Sequence, residues 1–259
     1  MDTMSAVIPL TEHDYPESAW KRLGMLAPSS NTVLEPTTAR MVAELDGKAT
    51  VHVARFPVVE ISMAARSQQQ FALEPILNAA RLLADAKPDV IAWNGTSAAW
   101  LGFETDIALC QSISEQTGVP ATSAILALNE ALELLGAKRV AFVTPYLSEI
   151  QDRLLESYES AGYTIAEDIR LEDRGNFSFA CYSAESVADL IRTAAQSKPD
   201  AIAVICTNFR GADLVDSIER ETGVMVIDSV AVTLWGALRT CGVATNQIQN
   251  WGRLFRELI

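Results

Sequence analysis

The sequence predicts an α/β fold: two pseudo-symmetric half-domains, each a parallel β-sheet of βα units, with the active site in the cleft between them. Three observations carry this. Short β-branched and apolar runs alternate with longer helical stretches, the pattern of parallel strands covered by helices. Lys87-Pro88-Asp89 opens the run Val90-Ile91-Ala92-Trp93-Asn94-Gly95-Thr96-Ser97, and Lys198-Pro199-Asp200 opens Ala201-Ile202-Ala203-Val204-Ile205-Cys206-Thr207-Asn208, at one interval of 111 residues (87 to 198, 95 to 206). Thr117-Gly118-Val119 is matched by Thr222-Gly223-Val224, and Ala27-Pro28-Ser29 by Thr144-Pro145-Tyr146. Ordered matches of this kind mark a duplication.

Taken in order, residues 22–27 read as a strand, followed by the loop Pro28-Ser29-Ser30-Asn31. A helix is expected over 34–45, with Pro36 in its first turn, where a missing N–H costs nothing. Strand 50–56, helix 71–86, buried strand 90–93 and helix 103–117, closed by Gly118, follow. Residues 119–124 lead into a helix over 125–135, stopped by Gly136. The pattern then restarts: strand 139–143, helix 148–161, strand 164–171, helix 184–195, strand 201–205, helix 212–221, strand 224–227 and helix 230–240. The expected division is 21–128 plus 232–259 as the first half-domain and 129–231 as the second, with 1–20 a flexible leader.

The 259 residues suffice for a sizeable core, and 49% hydrophobic with 20% charged residues is ordinary for a soluble α/β protein. No apolar run approaches the roughly 20 residues of a membrane helix, and the start of the chain lacks a signal-peptide pattern, so a cytoplasmic protein is expected. The net charge of −13, from 33 acids and 20 bases, argues against nucleic acid and anionic membranes as partners. A small anionic substrate stays open, because a local set of donors can oppose the global field. Cys110, Cys181, Cys206 and Cys241 are scattered, with no ligand spacing for zinc, so reduced thiols and no metal are expected. No Gly-rich dinucleotide fingerprint or phosphate loop is present.

Ligands of open parallel sheets bind outside the carboxyl ends of the strands. The loops at those ends hold Ser30 and Asn31, Gly95 with Thr96 and Ser97, Tyr146, and Cys206 with Thr207 and Asn208. Cys206 follows an apolar run and precedes an expected helix, where backbone N–H groups and the helix dipole would ease ionisation and early alkylation; a packing role is the competing reading. Gly95-Thr96-Ser97 offers N–H groups and two hydroxyls for a carboxylate or an enediolate, against simple helix capping. The Tyr146 phenol could join the same oxyanion, or pack. Cys110, Cys181 and Cys241 read as packing residues, His13 lies in the leader, and His52 reads as solvent-facing or satisfied.

At these residues the chain resembles the aspartate/glutamate racemase superfamily, in its branch of maleate cis-trans isomerases and arylmalonate decarboxylases, from about residue 22 to 255. Pro28-Ser29-Ser30-Asn31-Thr32-Val33-Leu34-Glu35 looks like the isomerase first loop; the loops at 95–97, 144–146 and 206–208 and the ending Gly252-Arg253-Leu254-Phe255 fit the branch as a whole. The resemblance implies two pseudo-symmetric α/β domains, a site between them, and no metal or organic cofactor. It also implies two cysteines in isomerases and racemases, whereas the decarboxylase has Gly at the first position, as Gly95 with Cys206 here. Asn31 matches a carboxylate-binding Asn of the isomerases, and Asn176 is similar to a second such ligand.

The expected function is therefore a cofactor-free decarboxylase of a malonate-like dicarboxylic acid. Thr96, Ser97 and Tyr146 would hold the enediolate and Cys206 would protonate it; a homodimer remains open. The alternatives are a maleate isomerase-like or racemase-like enzyme, for which the resemblance also allows a place in ectoine utilisation, and an inactive carboxylate-binding protein. A Gly95→Cys exchange is expected to restore a second thiol and some racemisation.

Overall fold

The structure, a computed structural model, describes residues 20–58, 60–63 and 73–259. The expected leader up to residue 19, His13 and the first two residues of the expected 71–86 helix lie outside the described residues. The first unit runs β1 (Lys21–Pro28), α1 (Leu34–Ala43), β2 (Ala49–Phe56), α2 (Leu73–Ala84), β3 (Val90–Trp93), α3 (Ala98–Leu101), α4 (Glu104–Thr117), β4 (Ala121–Ser123) and α5 (Ala124–Leu135). The second runs β5 (Arg139–Thr144), α6 (Ser148–Ser160), β6 (Thr164–Arg170), α7 (Ala184–Ala195), β7 (Ala201–Val204), α8 (Val215–Thr222), β8 (Met225–Asp228) and α9 (Ser229–Thr240), and α10 (Leu254–Glu257) closes the chain.

Each unit forms a four-stranded sheet, ordered β2-β1-β3-β4 in the first and β6-β5-β7-β8 in the second, and every pair is parallel. The two orders correspond strand for strand, so the fold is a duplication. In both, the chain leaves the first strand toward one edge and returns past it to the other. That reversal opens a crevice beyond the first and third strands, β1 with β3 and β5 with β7. β3 and β7 are buried along their whole length, as strands covered on both faces must be.

The Lys-Pro-Asp repeat has a local structural cause. Lys87 and Lys198 take left-handed backbone angles, φ 50° and 51°, in the turns before β3 and β7. Asp89 accepts from the Arg22 N–H at 2.8 Å and from Lys21 Nζ at 2.9 Å, tying the start of β3 to that of β1. Asp200 accepts from the Lys138 and Arg139 N–H groups at 2.8 Å and does the same for β7 and β5.

Four elements depart from expectation. β4 has only three residues after Pro120, too few for alternation to register, so the expected lead-in over 119–124 contains a short strand, Ala121–Ser123. α3 and α10 have four residues each, barely one turn and too few for a period to show. The expected helix over 212–221 starts as a 3₁₀ turn, Ala212–Leu214, and becomes α-helical at Val215. The late helix α9 lies against α5, β3 and β4 of the first unit. Beyond it, Trp251 Nε1 donates to Glu44 at 2.8 Å and Arg40 stacks over the Trp251 ring, while the Arg253 N–H reaches Glu219 of α8. Among the described residues no helix is long and apolar enough to cross a membrane.

Candidate active site

The loops from the four central strand ends meet, and they do so through two linked networks. The loop after β1 is held from below: Arg55 donates to the carbonyls of Ser29 and Asn31, at 3.0 Å each, and pairs with Glu35 at 2.5 Å. Ser30 Oγ donates to the Val58 carbonyl at 2.6 Å. Asn31 Oδ1 accepts from the Val33 and Leu34 N–H groups, both at 2.9 Å, and so caps α1. Its Nδ2 reaches across to Thr207 Oγ1 at 3.1 Å, and Thr207 donates to the Asn94 carbonyl at 3.0 Å. Asn208 Oδ1 accepts from the Thr32 N–H at 2.8 Å, and its Nδ2 donates to the Asn176 carbonyl at 2.6 Å. Asn176 Nδ2 returns to Ser30 Oγ at 2.8 Å. Ser30, Asn31, Asn176, Thr207 and Asn208 thus form one network joining the two sheets. The loops after β2 and β6 close beside it through a bridge between Glu60 and Gly175 and the Ile61 N–H to Arg174 carbonyl bond.

The second network holds the acidic groups. Thr96 Oγ1 and the Tyr146 hydroxyl lie 2.7 Å apart, and the Tyr146 hydroxyl is near enough to the Cys206 sulfur to favour its thiolate. Tyr146 is buried, fixed by edge-on contacts with Trp100 and Phe179 at centroid distances of 5.2 and 5.8 Å. The Cys206 N–H donates to Ser229 Oγ at 3.2 Å, and the Asn208 N–H points at the Cys206 sulfur at 3.4 Å. Gly95 sits between Asn94, bound to Thr207, and Thr96, bound to Tyr146. The symmetry-related positions 95 and 206 therefore belong to one constellation.

Electrostatics corrects the expected reactivity of Cys206. No helix starts there; the next helical turn begins at Ala212. Burial pushes the thiol up to about 12, with the charges of Asp228 and Asp173 adding, and the Asn208 N–H and Tyr146 hydroxyl only partly opposing. Cys206 is a buried neutral acid and not an exposed thiolate. Burial also raises the Tyr146 phenol well above its ordinary value, reinforced by Cys206 and opposed by Thr96.

Ser97 precedes α3, but its side chain makes no capping bond there. It lines a cavity of about 230 Å³ with Trp93, Leu101, Thr105 and Asp106. A β-carbon on Gly95 would fall 2.2 Å from Trp93 Cζ2 and 2.7 Å from Nε1, inside the indole. A thiol introduced by Gly95→Cys would therefore require the Trp93 indole to shift. Trp93 is buried and packs on Phe56 at a centroid distance of 4.5 Å. Asp106 sits beside it, raised to about 7 by burial, with Ser123 and Trp93 opposing that rise.

Of the other thiols, Cys110 is buried and pushed up to about 12 by that burial, Cys241 is half-buried, and Cys181 is exposed, which removes its expected packing role. His52 Nε2 pairs with Thr50 Oγ1 at 3.1 Å. Among the described residues no three His, Cys, Asp or Glu side chains gather where a metal ion could sit. Sequence reasoning missed Trp93, Asp106, Asp228 and Ser229. Only for Trp93 was there a signal: two residues before Gly95, it shares that residue's face of an extended strand.

The sequence profile of the arylmalonate decarboxylase family matches residues 23–255. A maleate isomerase of Nocardia farcinica is 27% identical over 92% of this chain and 96% of its own. An arylmalonate decarboxylase of Bordetella bronchiseptica is 28% identical over 71% of this chain and 78% of its own. A solved variant of the Nocardia farcinica maleate cis-trans isomerase, with a covalently bound succinylcysteine intermediate, superposes with a TM-score of 0.81 at 25% identity, covering 92% of this chain and 98% of that one. With its two four-stranded parallel sheets and its match across nearly the whole length, the chain belongs to the arylmalonate decarboxylase family, whose members similar to it are isomerases and decarboxylases.

Proposed function

We propose that the chain decarboxylates a malonate-like dicarboxylic acid without a cofactor, through an enediolate protonated by Cys206. The observation that carries this reading is the asymmetry of the duplicated loops: a thiol at 206 and, at 95, a glycine under an indole. One carboxylate would leave as carbon dioxide, its bonding pair remaining on the α-carbon as the enediolate. The neutral donors Thr96, Ser97, Tyr146 and nearby backbone N–H groups suit that charge. Burial of the site disfavours the leaving carboxylate's charge. The Cys206 S–H would then protonate the α-carbon from one face, and solvent would return the proton to sulfur. A thiol held neutral to about 12 is fit for that donor role.

A maleate-type cis-trans isomerase is the second reading. It is favoured by the Asn31, Asn176 and Asn208 network, which presents amides at the junction of the sheets, and by the 27% identity to a maleate isomerase over 92% of the chain. Incubating the protein with α-substituted malonates, with maleate and with chiral acidic amino acids separates the readings. The leading one expects carbon dioxide and a single monoacid enantiomer. Fumarate from maleate, with no carbon dioxide from any malonate, would replace it with the second. Binding without turnover would leave a carboxylate-binding protein.

A further inference from the structure

The duplication allows each first-unit residue at the site to be compared with its counterpart. Counterparts of Trp93 and Gly95, at the 111-residue interval, are Val204 and Cys206. Both 93 and 204 end the third strand of their sheet. In the first unit a large residue stands before a glycine; in the second a small one stands before a cysteine. The close approach explains the pairing: any β-carbon on Gly95 enters the Trp93 ring at 2.2–2.7 Å, below all normal contact distances.

The indole is held where it is. Its ring packs on Phe56, and Asp106, 2% exposed, lies near it. Trp93 Nε1 and Asp106 Oδ2 are both buried without a partner of full hydrogen-bond geometry, and they are close enough for the indole to act on the carboxylate. The counterpart of Asp106 at the Gly118-to-Gly223 interval is Gly211, and the counterpart of Ser123 is Asp228. A β-carbon on Gly211 would meet Asp228 Oδ2 at 2.6 Å and Val204 Cγ1 at 3.0 Å. Each unit thus sets one carboxylate beside the last residue of its third strand, supplied by the helix in the first and by the neighbouring strand in the second. Only in the first does it meet an aromatic N–H.

We infer that Trp93 is the specificity-determining residue of this site: its indole occupies the space a side chain at 95 would need, so the first face carries no proton donor and a thiol there can act only when residue 93 is reduced toward Val. The inference deepens the single-donor decarboxylase reading and rests on it for its stereochemical consequence, though not for its steric one.

The test is a cycle of Trp93→Val, Gly95→Cys and the double variant, with Trp93→Leu as a second background that leaves a smaller cavity. Two quantities are read: the thermal midpoint, which needs no substrate, and α-deuterium exchange into a chiral monoacid of the product type. In the wild-type background Gly95→Cys should lower the midpoint by roughly 5 °C or more, or prevent folding, as overpacking does. In either Trp93 background the same exchange should cost under about 2 °C. Only the double variants should gain exchange, by about 10-fold or more over wild type, a modest gain for an acid placed without refined geometry. An equal cost of Gly95→Cys in all three backgrounds, or exchange in the single variant as fast as in the doubles, would overturn the inference. Stability coupling with no turnover of any diacid would leave the steric claim standing and reject the decarboxylase reading instead.

Discussion

At Cys206, two effects compete, and burial wins over the backbone N–H and the phenol that favour the thiolate. Iodoacetamide at neutral pH should therefore label Cys181 first, with activity retained, since it is exposed while Cys206 is 3% exposed. Mass spectrometry of partly labelled protein checks this; early labelling of Cys206 would contradict the buried acid. The sign for pH follows from the same shift. With its pKa raised, the thiol stays protonated through neutral and alkaline pH, so kcat should show no loss near the ordinary cysteine value and decline only toward about 12 or where the fold fails. Tyr146→Phe removes the hydroxyl that bonds Thr96 and acts on Cys206 and should lower kcat by about 10²–10³ with a smaller change in KM. A loss confined to KM would mean that the phenol only helps binding. The Gly95–Cys206 asymmetry could be read from residue types at one interval. The indole over Gly95 and Asp106 beside it could not, because they depend on side-chain direction and on which helix face turns inward.

At the scale of elements, the strands and helices that announce themselves are those with a full period of pattern or a chemically distinct stop. The Lys-Pro-Asp repeat was readable because Asp89 and Asp200 do the same work at the starts of β1 and β5. β4 and α3 were hidden by length, and the loops at 29–31, 176 and 206–208 gave residue types but not their partners. Those partners show why so many amides gather there: Asn31 and Asn208 satisfy backbone groups in the loops of both units, and Asn176 Nδ2 bonds Ser30 Oγ, all three while fully or nearly buried. Asn208→Ala strips partners from the Thr32 N–H and the Asn176 carbonyl at once. It should cost about 2–4 kcal/mol, from unsatisfied groups worth roughly 1–3 kcal/mol each. Urea unfolding measures it. A variant within about 0.5 kcal/mol of wild type would mean that water replaces the amide, and that the network is not what joins the sheets.

Over the whole molecule, the duplication has preserved a pattern while exchanging the residues that fill it. Strand order, the left-handed lysines and the helix caps at Ser123 and Asp228 are kept, but the buried carboxylate passes from α4 in the first unit to the end of β8 in the second. Both carboxylates are raised to about 7, Asp106 by burial and Asp228 by burial aided by Asp213. Because the folded pKa lies above the unfolded one near 4, the native state holds more protons between those values, and stability must fall as pH rises through that window. The contribution is fully present below about 4 and lost by about pH 7. Each group can shift stability by up to ~4 kcal/mol on this reckoning, and relaxation or entry of water would reduce it. The net charge of −13 also weakens the fold as carboxylates ionise, so the slope of wild type alone does not isolate the pair. The Asp106→Asn, Asp228→Asn double variant does, since Asn caps a helix as well as Asp and leaves α9 started. Wild type should lose stability in urea between pH 5 and pH 8, and the double variant should lose about 2–4 kcal/mol less over the same interval. Parallel curves for the two proteins would show that neither carboxylate holds its proton in the folded state, and that the polar neighbours of each outweigh its burial.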